Sequence, residues 1–391
     1  MNYKPKVLII PSWYPDNQNP IQGIFFKKQA EALNEFLNIA VLNIDMSVKK
    51  YLKNNYFLNR NNFYKENNVL TLKNNRFNFG RLINSFNTKL YQKHFDNGFE
   101  KIVDQFGKPD LIHAHVSYPA GYGAMFLSQK YDIPFLVSEH ASFFESKLIK
   151  NYKKNIDKIL EKADLYTAVS TFLQKKILKY GRKQCKVIPN FIDCSKFNSE
   201  VDKENSDFEN TDKFNLLNVS QMRDIKGIDY LISALNKLVF DYNFKNIHLH
   251  LVGDGEKIDK YKKMTKKLDI NSYCTFYGQI SNEKVAEYMT LSDALVISSK
   301  IETFGVVGIE AMAAGLPILA TKCGGPEDYV EEINGLLVEK ESVSSLVEGI
   351  KNLINSYSKF NSVEIKKYTN DNYGKESVSK DLIRLYMDLI N

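Results

Sequence analysis

The segment "ALVISSKIETFGVVGIEAMAAGLPILAT", residues 294–321, contains two short apolar runs separated by a glycine-rich stretch. Short apolar runs bounded by turn residues are typical of strands that are buried on both faces. The stretch between them predicts a loop and then a helix that begins near Phe304 or Gly305 and ends at Gly315, because Pro317 follows as a stop signal. A strand, a helix and a second strand in this order predict a βαβ unit and a parallel sheet.

The same alternation of apolar runs and helical stretches continues along most of the chain. Residues 195–213 interrupt it with a polar, charged segment, which predicts a linker or surface loop. The pattern predicts an α/β fold with two doubly wound, Rossmann-like domains, residues 1–194 and 195–370, that face each other across a cleft. Ligands of such sheets bind beyond the carboxyl ends of the strands, so the cleft is the expected site. Strands are predicted at "KVLIIP", "IAVLNI", "NVLTL", "DLIHAH", "IPFLVSEH", "DLYTAVS", "CKVIPN", "FNLLNVS", "NIHLHLVGDG", "CTFYGQ", "ALVISS", "PILAT" and "GLLVE".

The composition is that of a soluble globular protein, with 43% hydrophobic and 25% charged residues among 391. This length favours two domains. No apolar run approaches the roughly 18 to 20 residues that span a bilayer, and the apolar run near the N-terminus predicts a buried strand rather than a signal peptide. The cysteines lack C-x-x-C spacing, which favours free thiols in a reducing cytoplasm over zinc or disulfides. They are Cys185, Cys194, Cys274 and Cys323.

The net charge of +7 is distributed unevenly. Residues 1–190 hold 29 Lys and Arg against 15 Asp and Glu, whereas residues 191–391 hold 24 against 31. A basic half indicates an anionic partner such as a membrane surface, a phosphorylated lipid or a nucleic acid. A solvated lysine-rich surface without a partner explains the same composition, and the sequence leaves both interpretations open.

Glu302 and Glu310 stand eight residues apart in the opening segment. Eight helical residues span roughly 12 Å, whereas the two carboxylates of a glycosidase lie about 5 to 9.5 Å apart. The spacing therefore favours two contacts on one extended ligand over a catalytic dyad. The alternative is a capping carboxylate at Glu302 and an exposed Glu310. Free backbone N–H groups at the start of the helix, at Phe304, Gly305 and Val306, would suit a phosphate.

Two loops could contribute to the same site. In "NVSQMRDIKGIDYLISAL", residues 218–235, Arg223 and Lys226 follow a strand and precede a helix, which suits a diphosphate. A solvated loop is an equal alternative. The loop "PSWYPDNQNPIQG", residues 11–23, ends in glycine directly before a helix, and its Trp13 and Tyr14 indicate an apolar contact.

Histidines occur in two pairs at strand ends, His113 with His115 and His248 with His250. Metal binding is conceivable, but no third ligand is suitably spaced, so packing is the favoured interpretation. His140, in "VSEHASFF", lies just past a strand end, where the cleft is expected. Its position favours a substrate contact.

Together, the E-x7-E element and the motifs "DIKG", "LVGDG", "FYGQI" and "VIPNFID" resemble the retaining, nucleotide-sugar-dependent glycosyltransferases of family 4, which have the GT-B fold. The opening "PSWYP…NP…GIFFKKQAEAL" resembles the bacterial branch that builds surface polysaccharides. The resemblance covers almost the whole chain. It implies that the last helix, residues 371–391, packs back on the N-terminal domain.

The resemblance also implies roles for residues that match the family motifs. Glu310 would bind the ribose hydroxyls, Glu302 would hold the donor sugar, and Lys226 would contact the diphosphate. His140 would lie near the outer hydroxyls of the sugar. Gly23 would approach the diphosphate from the other domain. The backbone N–H groups that bind the sugar and phosphates would be those of Phe304, Gly305, Val306 and Val307.

Further donor contacts are predicted at Gly253, Arg223, Gln221 and Ile280, the last where the family reads the base through its main chain. Gln221 departs from the family, which often has arginine there, and Arg223 two residues later is a possible replacement. Predicted acceptor contacts are Trp13, Tyr14, His115 and Tyr118. Glu302, Lys226 and His140 are predicted to be catalytic.

The implied activity is transfer of a hexosyl unit, with retention, from a nucleotide-diphosphate sugar (a UDP-sugar is favoured) to a glycan or lipid-linked acceptor in cell-surface polysaccharide synthesis. No D-x-D motif occurs, so protein cations are expected to replace a metal, and no cofactor is expected. The protein is expected to be cytoplasmic and peripheral at the inner face of the membrane, docked through its basic half. No aromatic-interleaved RNA motif is present, so no nucleic-acid partner is expected.

Two other classes of function stay open. A nucleotide-sugar epimerase or a phosphorylase could use the same fold, the latter with a Lys-linked pyridoxal cofactor. A catalytically silent GT-B module could act as a scaffold, although the complete E-x7-E and "DIKG" elements argue against this.

Overall fold

The computed structural model describes residues 4–16, 22–45, 61–75, 84–141, 147–197, 206–209 and 212–391. Contacts divide the chain into two compact units. Unit 1 consists of Met1–Val169, Leu173–Pro189 and Val378–Asn391, and unit 2 of Ser170–Phe172 and Asn190–Ser377. Each unit is an α/β body built on its own sheet, as the alternation predicted.

Among its described residues, unit 1 has an eight-stranded sheet with the order β3-β4-β2-β1-β5-β6-β7-β8. All neighbouring strands are parallel except β3 and β4. The central strands are buried along nearly their whole length because helices cover both faces of a parallel sheet. The strands are β1 (Lys6–Pro11), β2 (Asn38–Asp45), β3 (Asn61–Glu66), β4 (Val69–Asn75), β5 (Leu111–His115), β6 (Phe135–Glu139), β7 (Leu165–Ala168) and β8 (Lys186–Val187).

The described residues of the N-terminal part form the helices α1 (Ile24–Asn34), α2 (Asn84–Phe106), α3 (Tyr122–Tyr131), α4 (Lys147–Lys162) and α5 (Thr171–Lys179). The C-terminal helix α12 (Lys375–Ile390) returns to unit 1, where Leu382 and Tyr386 are buried in the core beside β1 and β5. This crossing confirms what the family resemblance implied.

Unit 2 has a six-stranded, wholly parallel sheet with the order β11-β10-β9-β12-β13-β14. The order reverses between β9 and β12, and this switch point opens a crevice at the carboxyl ends of the two strands. The strands are β9 (Phe214–Val219), β10 (Ile247–Val252), β11 (Cys274–Gly278), β12 (Ala294–Ile297), β13 (Ile318–Thr321) and β14 (Gly335–Val338). The helices are α6 (Ile228–Phe240), α7 (Ile258–Lys267), α8 (Asn282–Leu291), α9 (Val306–Ala313), α10 (Val343–Asn355) and α11 (Ser362–Tyr373).

The predicted linker or surface loop at residues 195–213 is only partly described, since residues 198–205 and 210–211 lie outside the described residues. Its segment 206–209 belongs to unit 2 and packs on the sheet of that unit. Phe208 is buried and stacks on His250 with 4.2 Å between the ring centroids. This part of the segment therefore contributes to the core. Within the described ranges, no helix has the length and apolar character needed to cross a membrane.

Candidate functional site

The loop between β9 and α6 lies directly on the carboxyl end of β12. Gly227 has a φ of +62°, and a Cβ atom added there would stand 2.1 Å from the carbonyl oxygen of Ser298. The Ser298 hydroxyl donates to the Lys226 carbonyl at 2.9 Å, and the Lys300 N–H donates to the Ile225 carbonyl at 2.8 Å. Only glycine fits this approach, so the loop holds Lys226 at the switch point.

Lys226 forms an ion pair with Glu302, with 2.5 Å between Nζ and Oε1. The Ser299 hydroxyl donates to the same oxygen at 2.7 Å. The two side chains are 23% and 12% exposed, so the pair is largely shielded from solvent. No sequence motif indicated Ser299, which precedes the E-x7-E element by three residues. The pair and the hydroxyl form a polar cluster at the end of β12.

Glu302 lies outside the helix that the sequence places near it. Its N–H donates to the Cys323 carbonyl at 2.8 Å, and its carbonyl accepts from the Gly325 N–H at 2.9 Å. α9 begins at Val306, so Glu310 is its fifth residue, little more than one turn inside. The helix therefore holds Glu310 less deeply than a start at Phe304 or Gly305 predicted, and the estimate of roughly 12 Å, which assumed eight helical residues between the two glutamates, loses that basis.

The start of α9 offers unpaired backbone donors. Gly305 is the N-cap with φ +81°, and the Tyr329 hydroxyl donates to its carbonyl at 2.9 Å. The Phe304 side chain is buried against Tyr329, so only its backbone can face a ligand. Among the described residues, none accepts from the four N–H groups predicted to bind the sugar and phosphates, those of Phe304, Gly305, Val306 and Val307. This arrangement suits an anion.

A cavity of about 540 Å³ opens at the carboxyl ends of β9, β10 and β11. It brings together four residues that the sequence assigned to the donor: Gln221, Arg223, Gly253 and Ile280. A Cβ added at Gly253 would lie 2.0 Å from the Ser220 carbonyl oxygen. The backbones of Gly253 and Ser220 therefore pack directly on each other at this side of the cavity. The remaining lining residues are Val219, Ser220, Val252, Asp254, Gly255, Glu256, Gln279 and Val285.

The two cations of the loop between β9 and α6 differ: among the described residues, Lys226 is in an ion pair, and Arg223 is not. Asp224, between Arg223 and Lys226, pairs with Lys257 at 2.8 Å and Lys260 at 3.3 Å, which ties the loop to α7. Within the described part of the chain, no carboxylate lies within ion-pair distance of Arg223, which is exposed at the cavity. Arg223 can therefore meet an anionic ligand without first breaking an ion pair.

The predicted contacts of unit 1 gather at the carboxyl ends of β1, β5 and β6. A Cβ added at Gly23, where φ is +78°, would lie 2.6 Å from the Trp13 carbonyl oxygen, so the loop after β1 closes on the start of α1. His140 is partly exposed and packs on Phe25, with ring centroids 5.1 Å apart. Residues 17–21 of this loop lie outside the described residues.

Three predicted acceptor contacts are less accessible than expected. Tyr14 is buried in the core of unit 1, where burial raises its pKa far above the usual range. His115 is fully buried. Tyr118 is half-buried and stacks on Tyr152 with 4.2 Å between centroids. Burial favours packing over ligand contact for Tyr14 and His115, a distinction that residue type alone could not make.

The paired histidines serve the two sheets as hydrogen-bonded packing groups. His113 contacts the Tyr386 hydroxyl at 2.5 Å and the Ser138 hydroxyl at 2.7 Å. His250 contacts Tyr277 and Asn215, both at 3.0 Å. Burial lowers the pKa of His113 to about 3, and the neighbouring His140 ring adds to this shift. His113 is therefore neutral across the physiological range.

Because His113 is buried in its neutral form, the stability of unit 1 should fall in acid. The unfolded histidine binds a proton below about pH 6.5 whereas the folded one does not, so stability is lost as pH falls from about 6.5 towards 3. We expect this group to lower the free energy of unfolding by about 1.4 kcal/mol per pH unit in that window. Urea unfolding followed by the fluorescence of Trp13, the single tryptophan, measures it. His113→Phe should have a shallower pH slope, and an unchanged slope would contradict the assignment.

Two family models match the sequence. The model described as Glycosyl transferases group 1 matches residues 200–370, and Glycosyltransferase Family 4 matches residues 68–196. A glycosyltransferase of Methanocaldococcus jannaschii is 31% identical over 69% of this chain and 71% of its own length. The chain belongs to the family 4 glycosyltransferases.

This glycosyltransferase is also 28% identical to the putative teichuronic acid biosynthesis glycosyltransferase TuaC of Bacillus subtilis, over 62% of the chain and 60% of TuaC. In structure it is similar to HepE of Anabaena in complex with UDP, with a TM-score of 0.76 and 18% identity over 98% of this chain and 100% of that one. The fold is GT-B, so both the recognition of the family and the predicted fold class are confirmed.

Proposed function

We propose that this glycosyltransferase transfers a hexosyl unit, with retention, from a nucleotide-diphosphate sugar to a glycan or lipid-linked glycan. The observation that carries the proposal is the donor half-site of unit 2. There, one loop contributes Arg223 to a cavity of about 540 Å³ and Lys226 to the polar cluster beside it. A nucleoside suits the cavity, whose volume is typical of small-ligand sites.

The identity of the donor nucleotide is proposed to be uridine. The family membership supports a nucleotide sugar in general, and HepE, the GT-B neighbour described above, binds UDP. The backbone of Gly253 and Ile280 at the cavity would read the base, and Glu310 in α9 would hold the ribose. TuaC, with its putative role in teichuronic acid synthesis, supports a cell-surface polysaccharide as the product.

Charge stabilisation is the proposed source of catalysis. Cleavage of the bond between sugar and diphosphate leaves negative charge on the phosphate, which preorganised cations and N–H groups stabilise as it develops. Lys226, Arg223 and the free N–H groups of α9 supply these donors. We propose that no metal is required, and activity that survives excess EDTA would support this, whereas activity restored only by added Mg²⁺ or Mn²⁺ would contradict it.

Retention is proposed to proceed by front-face attack. Glu302 accepts from both Lys226 and Ser299, so its Oε1 is already engaged and the residue is better suited to hold sugar hydroxyls than to attack carbon. The leaving phosphate would take the proton of the acceptor hydroxyl. NMR assignment of the anomeric configuration in the product tests this step.

The acceptor is proposed to be reached at a membrane surface. Helices α4 and α5 expose lysines in the basic half, among them Lys153, Lys154, Lys158, Lys175 and Lys179. Lysines near an anionic surface contribute about 1 kcal/mol each. Co-sedimentation with phosphatidylglycerol vesicles but not with neutral phosphatidylcholine vesicles would support peripheral docking at the inner face, and equal binding to both would contradict it.

The donor assignment is tested by Glu310→Ala. With UDP- and GDP-sugars screened by thermal shift, the sugar that stabilises the wild type identifies the donor, since bound ligand raises stability by RT ln(1 + [L]/Kd). We expect Glu310→Ala to weaken UDP binding by about 10- to 100-fold, because a charged acceptor of ribose hydroxyls contributes about 1.5 to 3 kcal/mol.

A matched control is Glu339→Ala, which removes an exposed carboxylate of the same unit that pairs with Lys322. Its UDP affinity should equal that of the wild type. Wild-type affinity in Glu310→Ala would overturn the ribose assignment. Epimerisation of the donor with no acceptor present, seen by NMR, would favour the epimerase alternative over a transferase.

A further inference from the structure

Tyr329 is a fully buried tyrosine in the turn after β13, and no sequence motif indicated it. Its hydroxyl donates to the carbonyl of Gly305, the N-cap of α9, at 2.9 Å. Burial raises the pKa of Tyr329 well above its usual range, so the hydroxyl keeps its proton and can donate throughout the physiological pH range. The start of α9 is therefore hydrogen-bonded to a side chain from the turn after the next strand.

The Gly305 carbonyl and the Val306 N–H belong to one peptide unit, which is trans. In a planar trans peptide, the C=O and N–H bonds point in opposite directions. The carbonyl also accepts from the Gly308 N–H at 2.9 Å, so both of its lone pairs are used within unit 2. Because these two donors fix the direction of the carbonyl, they also fix the direction of the Val306 N–H, one of the free donors described above.

The local sequence restrains this peptide unit only weakly. Gly305 has a φ of +81° and a ψ of +60°, and glycine has access to more backbone conformations than any other residue. The hydroxyl of Tyr329 therefore supplies a restraint on the peptide that follows Gly305, in addition to the bond from Gly308.

The ring of Tyr329 packs closely on the first turn of α9. A Cβ added at Gly308 would lie 2.3 Å from the hydroxyl oxygen and 2.6 Å from two ring carbons, and one at Gly305 would lie 2.9 Å from the hydroxyl oxygen. Glycine is a poor helix former, so its presence at the third position of α9 needs a reason. The space that it leaves is occupied by Tyr329.

The turn that carries Tyr329 is itself well held. The Tyr329 carbonyl accepts from Nδ2 of Asn334, which is fully buried, at 2.9 Å. The Tyr329 N–H donates to the Pro326 carbonyl at 3.2 Å. Earlier in the same segment, the Gly325 N–H donates to the Glu302 carbonyl at 2.9 Å. The hydroxyl is thus presented from backbone that is tied to both Asn334 and the E-x7-E element.

We propose that Tyr329 is a positioning residue for the phosphate contact at the start of α9, where its hydroxyl holds the peptide between Gly305 and Val306 so that the Val306 N–H faces the donor. That this N–H meets a phosphate rests on the proposed function, whereas the orientation of the peptide does not. If the ring only filled space beside Gly308, the hydroxyl would have no effect. Tyr329→Phe separates the two roles because it removes the oxygen and keeps the ring.

The orientation of the peptide is tested without ligand by NMR of the labelled full chain. In Tyr329→Phe, the ¹³C resonance of the Gly305 carbonyl should shift upfield and the ¹⁵N resonance of Val306 should shift with it, because the carbonyl loses a donor. Tyr288→Phe is the matched control, since Tyr288 is an equally buried tyrosine of unit 2 whose hydroxyl donates to Asp207 at 2.8 Å. It should leave both resonances in place. Unchanged resonances in Tyr329→Phe would overturn the proposal.

The phosphate contact is tested by comparing two ligands, the nucleoside diphosphate found by the screen above and its nucleoside. We expect Tyr329→Phe to weaken binding of the diphosphate about 2- to 10-fold, the range for one hydrogen bond. Affinity for the nucleoside, which has no phosphate, should equal that of the wild type, and Tyr288→Phe should change neither affinity. Equal losses for the two ligands would show a general disturbance of the site, and wild-type affinity for both would show that the hydroxyl does not serve the phosphate. Either result would overturn the proposed role.

Gly308→Ala tests the same contact from the helix, because its Cβ would displace the Tyr329 hydroxyl. It should weaken the diphosphate at least as much as Tyr329→Phe does, and far-UV circular dichroism checks that the variant is folded. Wild-type affinity for the diphosphate in a folded Gly308→Ala would contradict the positioning role. A wild type that binds no nucleoside diphosphate would overturn the proposed function and the phosphate contact together, while shifted resonances in Tyr329→Phe would still support the orientation of the peptide.

Discussion

Lys226→Ala should lower kcat by about 100- to 1,000-fold, the loss seen when one preorganised donor is removed from a developing charge. The variant loses the cation proposed to face the leaving phosphate. It also leaves Glu302, which is only 12% exposed, without the partner that holds its Oε1 at 2.5 Å. An unpaired carboxylate beside the diphosphate would repel it, which adds to the loss. Release of nucleoside diphosphate under saturating donor and acceptor measures the effect.

Lys322→Ala is the matched control, because Lys322 lies in the same unit but pairs with Glu339 on the surface. It should retain wild-type kcat, since exposed ion pairs contribute little. Lys226→Arg keeps the charge with a different shape and should recover part of the activity. If Lys226→Ala turned over at the wild-type rate, the assignment of this lysine to the diphosphate would be wrong.

Gly227→Ala should destabilise unit 2 by about 2 to 4 kcal/mol. The new Cβ would meet the Ser298 carbonyl oxygen at 2.1 Å, and this atom is backbone that cannot rotate away. Overpacking costs about 1 to 3 kcal/mol, and a φ of +62° adds about 1 kcal/mol or more for a residue with a Cβ. Denaturant unfolding followed by far-UV circular dichroism measures the loss.

Gly278→Ala separates the two causes. Gly278 has nearly the same φ, +70°, but no described atom lies within 4 Å of the added Cβ. It should cost only about 1 kcal/mol, the strain of the backbone conformation alone. Equal losses in the two variants would show that backbone conformation, not contact with Ser298, explains the need for glycine at 227.

Most of the fold could be predicted from the sequence because strands buried on both faces are rich in apolar residues. "KVLIIP" and "ALVISS" are β1 and β12 for this reason. β3, Asn61–Glu66, was not predicted: it is a polar edge strand whose pairing with β4 leaves no apolar signature. The start of α9 was placed up to two residues early, because propensity does not show that Gly305 adopts a left-handed conformation.

For the candidate site, the sequence indicated many of the residues but not how they are arranged in space. The motifs selected Gln221, Arg223, Gly253 and Ile280, which the fold assembles around one cavity. No motif indicated Tyr329, since it acts through a hydrogen bond to a backbone group distant in sequence. Tyr14 is the opposite case, because the sequence predicted an acceptor contact there and the side chain is instead buried in the core.

By itself, the sequence determined the class of fold and the chemical family, because hydrophobic periodicity and glycine-containing motifs are local properties of the chain. The tertiary structure decided which atoms meet. Lys226 reaches Glu302 across 76 residues because β9 and β12 are neighbours at a switch point, and His115 reaches His140 because β5 and β6 are adjacent. The order of the strands in the sheet decides which side chains are in contact. That order depends on long-range packing, so it cannot be predicted from any single segment of the sequence.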